Sequence, residues 1–224
     1  MSLIESLPLF PLSDVVLLPE VSIPLNVFEP RYRQMIRDAL AGSHQIGMVT
    51  VRPDYVSQMA GDPPIFATGC LGRIGQAEEQ PDGTFRIVLL GVSRFLVLEE
   101  IERTGERLYR SARVELLSDE SPQDAEALEL LEQRRRELLA LLERLVQRLG
   151  QKGAGHEAVT AFERLEPARL INALTQSIAL LPAERQRLLE TNSVISRFEI
   201  MANLLRFRLA DVAAGEPGST PLPN

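Results

Sequence analysis

The stretch Leu7–Leu40, LPLFPLSDVVLLPEVSIPLNVFEPRYRQMIRDAL, decides how this chain begins. Pro8, Pro11, Pro19, Pro24 and Pro30 cut its apolar residues into pieces too short for a helix. Between Val21 and Val27 the apolar Val21, Ile23, Leu25 and Val27 alternate with Ser22, Pro24 and Asn26, the period of two that marks a half-buried strand. Pro30 suits the first position of a helix, where a missing N–H costs nothing. Tyr32, Met35, Ile36, Ala39 and Leu40 then follow at helical spacing, and Gly42 stands where that helix should close. The stretch reads as two or three short strands that turn into one helix.

Downstream, residues 46–51 are β-like and residues 52–64, with Pro53, Gly61, Pro63 and Pro64, form a loop. Residues 65–76 and 84–90 flank Asp82-Gly83, a hairpin-turn signal. Residues 94–101 and 108–117 read as two more strands. Many short strands with one early helix predict a small, strongly bent antiparallel sheet or open pseudo-barrel. The composition then switches at Ser118-Asp119-Glu120-Ser121-Pro122. No proline or glycine occurs from 123 to 149, which predicts one long helix with Ser121 as its cap. Shorter helices are expected near 157–165, 167–181 and 182–190, and a last one over about 193–212. The fold class is therefore α+β: a β-rich part over 1–119, a helical bundle over 120–213, and a disordered tail over 214–224.

Two later segments complete a pattern. Pro81-Asp82-Gly83-Thr84 leads to Gly91-Val92-Ser93-Arg94-Phe95, and Leu180-Leu181-Pro182 leads to Leu188-Leu189-Glu190. With Leu7 through Phe28-Glu29-Pro30-Arg31-Tyr32 they make the chain resemble the Lon N-terminal domain, the substrate-binding domain of Lon-type ATP-dependent proteases, over about residues 7–209. The resemblance implies that domain's fold. It also implies a stand-alone substrate-recognition module, without ATPase or peptidase domains, that binds unfolded or apolar polypeptide segments and catalyses nothing. Two other readings stay open: an adaptor that docks on one folded partner, such as a protease or ATPase, through the helical part, and an uncharacterised hydrolase.

Composition narrows these classes. The formal net charge is −7, which disfavours nucleic acid as a partner. One cysteine and two histidines give no disulfide and no metal-ligand spacing, so no cofactor or metal is expected. The sequence lacks a signal-like N-terminus and any apolar run long enough to span a membrane, and a cytoplasmic protein is expected.

Catalytic constellations fare poorly. A phosphate-binding loop needs a Gly-Lys-Ser/Thr sequence, and the lone lysine, Lys152, sits in Gln151-Lys152-Gly153-Ala154-Gly155. The same flexible setting argues against the buried lysine of a Ser-Lys dyad. His44 and His156 follow glycine-bearing breaks and read as capping or loop residues. Cys70 reads as a small buried hydrophobe in a strand. Arg134, Arg135 and Arg136 fan around a helix, because consecutive residues are about 100° apart. Glu29, Arg31, Gly91 and Arg94 read as structural.

A ligand surface is expected elsewhere. A proline in the middle of a strand cannot donate to a ladder, so Pro24 places its strand at an edge. An apolar edge left open can take an extended peptide, unless the first helix or the hairpin covers it. The peptide-binding residues expected on this reasoning are Val21, Ile23 and Pro24, together with Gln80 and Pro81 at the hairpin tip.

Overall fold

The computed structural model describes residues 2–149 and 154–214. In chain order its elements are β1 (Leu3–Leu12), β2 (Ser22–Val27), α1 (Pro30–Ala41), β3 (Gln45–Thr50), β4 (Thr68–Glu79), β5 (Phe85–Ile101), β6 (Ser111–Leu117), α2 (Ala125–Arg148), α3 (Ala154–Glu163), α4 (Pro167–Ser177), α5 (Pro182–Glu190) and α6 (Val194–Ala214). They form an α+β fold. The readings that touch Lys152 and residues 215–224 lie outside the described residues, as does the side chain of His156.

Two compact units emerge. One holds the chain up to Ser118 together with Leu181–Glu190, and the other holds Asp119–Leu180 and the chain from Thr191 onward. The sequence expectation placed residues 181–190 in the helical part; the structure groups α5 with the sheet instead. Three buried side chains explain the grouping. Leu188 and Leu189 are buried, and Gln186 accepts a hydrogen bond from the Thr50 hydroxyl at 2.8 Å and donates to the Thr68 carbonyl at 3.0 Å.

In the first unit the strand order is β2-β5-β4-β3-β1-β6, and a further β5–β6 pairing closes β5, β4, β3, β1 and β6 into a ring of hydrogen bonds rather than a regular barrel. The sheet is not purely antiparallel, as β1 pairs with β3 in parallel. The connection between them contains α1, and a parallel pair needs such a crossover. The two strands expected over 84–90 and 94–101 are one continuous strand, β5, whose register shifts opposite Leu71/Gly72 of β4. Gly91 thus sits at a bulge and not a turn.

Alternating residues of the strands feed two cores. Phe10, Ile46, Met48, Cys70, Ile87 and Leu89 face one cluster, which takes in Tyr32, Met35 and Ile36 of α1. Leu7, Leu9, Val49, Leu71 and Phe95 face the other. Gly47 and Gly69 make room for Phe95: a Cβ on either would lie within 3 Å of its Cζ, at 2.9 and 2.5 Å. α1 ends at Gly42, but the left-handed residue is His44, φ 59°, whose N–H returns to the Ala39 carbonyl at 2.9 Å. Its role is to close the helix.

The second unit is helical among its described residues. The cap of α2 is Asp124, not Ser121: its carboxylate accepts from the Ala127 N–H at 2.8 Å. The helix buries Leu131, Leu138, Leu141, Leu142 and Leu145 and leaves Leu128 and Leu149, near its two ends, exposed. α6 contributes Phe198, Met201 and Leu205 to the core. Arg197, 1% exposed, pairs with Asp119 at 2.6 Å and donates to Asn172 Oδ1 at 3.3 Å. The three successive arginines diverge as their angular spacing predicts: Arg134 pairs with Glu137 and Glu199, Arg135 donates to the carbonyls of Glu163 and Leu165, and Arg136 is exposed. No helix among the described residues is long and apolar enough to cross a membrane.

Candidate polypeptide-binding trough

Beyond the ring, β4 and β5 continue as a ribbon to which β2 adds a third strand. The registers define rows across it: Ser22–Leu90–Arg73, Pro24–Val88–Gln76 and Asn26–Arg86–Glu78. These residues share one face, because side chains of a strand alternate between faces and directly opposed partners point the same way. Ser22, Pro24 and Asn26 are exposed and Val88 and Leu90 half-buried, so the face is open to solvent. The opposite face carries Ile23, Leu89 and Ile74, all buried in the core over α1.

Two hollows lie on the open face and share Asn26 and Arg86. One, of about 320 Å³, is walled by Pro24, Gln76, Glu78 and Val88. The other, of about 540 Å³, lies between Phe28 and the hairpin tip at Gln80, Pro81 and Asp82. Together they form a trough along β2 and its continuation. Phe28 is 68% exposed on its rim.

The tip is held in place locally. Gly83 N–H donates to the Gln80 carbonyl and Gln80 N–H to the Thr84 carbonyl, each at 2.8 Å. Gly83 has φ 77°, and Arg33 of α1 packs so closely that an added Cβ would lie 2.0 Å from Nη2. Hydrogen bonds from the Thr84 N–H and then its hydroxyl hold the Asp82 carboxyl below the usual carboxylate range. The trough thus presents apolar surface from Pro24, Phe28, Pro81 and Val88, amides from Asn26, Gln76 and Gln80, and opposite charges at Glu78 and Arg86. A peptide needs this mixture: cover for its side chains and partners for its backbone.

Of the residues expected from sequence, the structure brings Pro24, Gln80 and Pro81 to this surface. It does not bring Val21 or Ile23, which are 9% and 4% exposed and pack in the core. A half-buried strand buries its apolar half, and those two residues belong to it. Phe28, Val88 and Arg86 were not singled out. Phe28 was within reach, since counting by two from Ser22, Pro24 and Asn26 arrives at it.

The other candidates have structural explanations. Arg31 donates from Nε to Glu29 at 3.0 Å, from Nη1 to the Gly61 carbonyl at 2.9 Å and from Nη2 to the Met59 carbonyl at 2.6 Å, so the loop before β4 rests on it. A Cβ on Gly91 would lie 2.0 Å from the Leu18 carbonyl oxygen. Arg94 is 1% exposed and bonded to backbone. Cys70 is buried, and burial pushes its thiol pKa well up, leaving it unreactive.

Comparison with known proteins agrees with this architecture. The family model of the ATP-dependent protease La (LON) substrate-binding domain matches residues 6–206. The Lon protease of Xanthomonas oryzae pv. oryzae is 28% identical over 202 residues, which is 89% of this chain and 22% of that protein. The Lon protease of Dictyoglomus thermophilum is 29% identical over 195 residues, 87% of this chain and 23% of that protein. This chain therefore spans less than a quarter of those relatives. Among solved structures, a Lon N-terminal domain protein from Xanthomonas campestris covers 91% of this chain and 99% of its own, at 26% identity and a TM-score of 0.59. The N-terminal domain of the Mycobacterium avium complex Lon protease covers 90% of this chain and 98% of its own, at 22% identity and a TM-score of 0.68, a likeness of fold. With its ringed sheet, its helical unit and a match from residue 6 to residue 206, the chain belongs to the Lon substrate-binding domain family.

Proposed function

We propose that this chain recognises unfolded or apolar polypeptide segments without catalysing a reaction on them, and that the trough along β2 is where it does so. Membership of a substrate-binding family supports the recognition role. The observation that carries the location is the open face itself: Pro24, Phe28 and Pro81 expose apolar surface beside amide side chains, on a sheet whose other face packs Ile23, Leu89 and Ile74 in the core. The same domain makes up 22–23% of the Lon proteases quoted above, which supports a protease or ATPase as the partner that receives what it binds.

The test uses reduced, carboxymethylated α-lactalbumin as a permanently unfolded probe, with the native protein as control. The expected result is saturable binding of the unfolded form that weakens on Phe28→Ser. Equal affinity for both forms, or no affinity for either, refutes the reading.

A further inference from the structure

Counting along the β2–β5 ladder separates two sets of backbone groups. The Gly91 N–H donates to the Val21 carbonyl at 2.9 Å. From Ser22↔Leu90 to Val27↔Phe85 the register runs without a shift. Bonded and non-bonded positions alternate in an antiparallel pair. Ile23, Leu25 and Val27 therefore direct their N–H and C=O groups toward β5, while Ser22, Pro24 and Asn26 turn theirs outward. β2 ends the sheet, with β5 as its strand neighbour. Its outer edge thus offers N–H groups at Ser22 and Asn26 and carbonyls at Ser22, Pro24 and Asn26. Two of these residues, Pro24 and Asn26, also carry side chains that line the trough.

We propose, on the footing of the site just described, that the polypeptide binds as an added strand along the outer edge of β2, with alternate side chains laid into the trough. Charge argues for the occupant's class. Edges are usually guarded by charged side chains, and Ser22–Val27 contains none. Nearby, Glu78 and Asp82 stand against Arg73 and Arg86, so the surface favours neither sign and fits an uncharged extended segment. Pro24 argues against a second copy of this chain. A two-fold pairing of β2 with itself, centred on Pro24, would set two prolines opposite each other with no N–H on either side, whereas an incoming strand meets only one missing donor.

Two substitutions at one position separate backbone from side chain. Asn26→Pro removes an outward N–H and leaves the bonds to β5 in place; Asn26→Ala removes the side chain and keeps the N–H. With reduced, carboxymethylated α-lactalbumin as probe, both should weaken binding, Asn26→Pro by about tenfold more than Asn26→Ala, which keeps the outward N–H. Pro24→Val restores the missing donor and should tighten binding by about threefold or more, which keeps the test open if Asn26→Pro fails to fold. Equal losses at Asn26→Pro and Asn26→Ala, or no tightening at Pro24→Val, overturn strand addition; if Phe28→Ser still weakens binding, the trough reading survives. If Phe28→Ser has no effect either, both fall. Light scattering covers the remaining occupant: a parent dimer that Asn26→Pro dissociates makes the second copy the strand and overturns the proposal.

Discussion

Arg94 donates from Nη1 to the carbonyl oxygen of Leu189 at 3.1 Å, and from Nη2 to the carbonyl of Ser118 at 3.0 Å. One buried guanidinium of β5 therefore ties the last turn of α5 and the end of β6's segment to the sheet. The fork of the guanidinium makes this possible, and a lysine ammonium on a flexible stem does not reproduce it.

Arg94→Met should consequently cost about 2–4 kcal/mol, because the buried Leu189 carbonyl and the part-buried Ser118 carbonyl lose charge-assisted donors. Arg94→Lys should recover less than half of that loss. Chemical denaturation of the three proteins measures both. Stability within about 0.5 kcal/mol of the parent in Arg94→Met would show that Gln186, Leu188 and Leu189 hold α5 without it.

Gly91 makes a sharper demand. Its N–H donates to the Val21 carbonyl, its carbonyl accepts from the Glu20 N–H, and the Leu18 carbonyl oxygen fills the space a Cβ would need. Backbone cannot swing aside as a side chain can. Gly91→Ala should destabilise by about 3 kcal/mol, read as a lowered midpoint in a urea melt with an unchanged slope.

These two residues show where local pattern is informative and where it stops. The period of two over residues 21–27 makes β2 readable, Pro24 makes it an edge, and Asp82-Gly83 makes the hairpin. The same alternation assigns Val21 and Ile23 to the buried half; apolar character alone pointed them at a ligand. Gly91-Val92-Ser93 looks like a turn, because a bulge and a turn use the same residues and only pairing with β4 and β2 tells them apart. Leu188 and Leu189 mark a buried end of α5 but not which partner buries it. The trough is non-local in the same way: its rows exist only once residues 22–26 lie beside 86–90.

Alkaline pH offers a global check on the core over α1. Burial raises Tyr32 from its ordinary value of 10.0 to about 12, with Arg31 pulling the other way. Burial, then the hydrogen bond to Asp38, raises Tyr109 to about 12 as well. Each neutral phenol is thus favoured by folding, so the stability it contributes is complete below pH 10 and is lost as pH rises from 10 toward 12. For Tyr32, 4% exposed, the loss is on the order of 2–3 kcal/mol. Tyr32→Phe should flatten that part of the stability curve, and a curve as steep as the parent's would contradict the assignment.

The last prediction separates binding surface from core by contrasting neighbouring residues. Ile23 is 4% exposed and packs in the cluster with Leu89 and Met35, whereas Phe28 is 68% exposed at the rim of the trough. Ile23→Ser removes a buried side chain and leaves a hydroxyl in its place, at a cost of about 3–5 kcal/mol. Phe28→Ser removes a ring that is already in water, so the melt should stay within about 0.5 kcal/mol of the parent. Its effect should appear only with ligand. Covering that side chain contributes about 1.5–3 kcal/mol, and 1.4 kcal/mol is a factor of ten, so affinity for the unfolded probe should fall by about tenfold. Adding Pro81→Ser on the facing wall should deepen the loss without moving the melt. Isothermal titration beside differential scanning calorimetry reads the two quantities on the same samples. If Ile23→Ser melts like the parent and weakens binding while Phe28→Ser leaves binding unchanged, the ligand surface lies on the other face of β2 and the trough is empty ground.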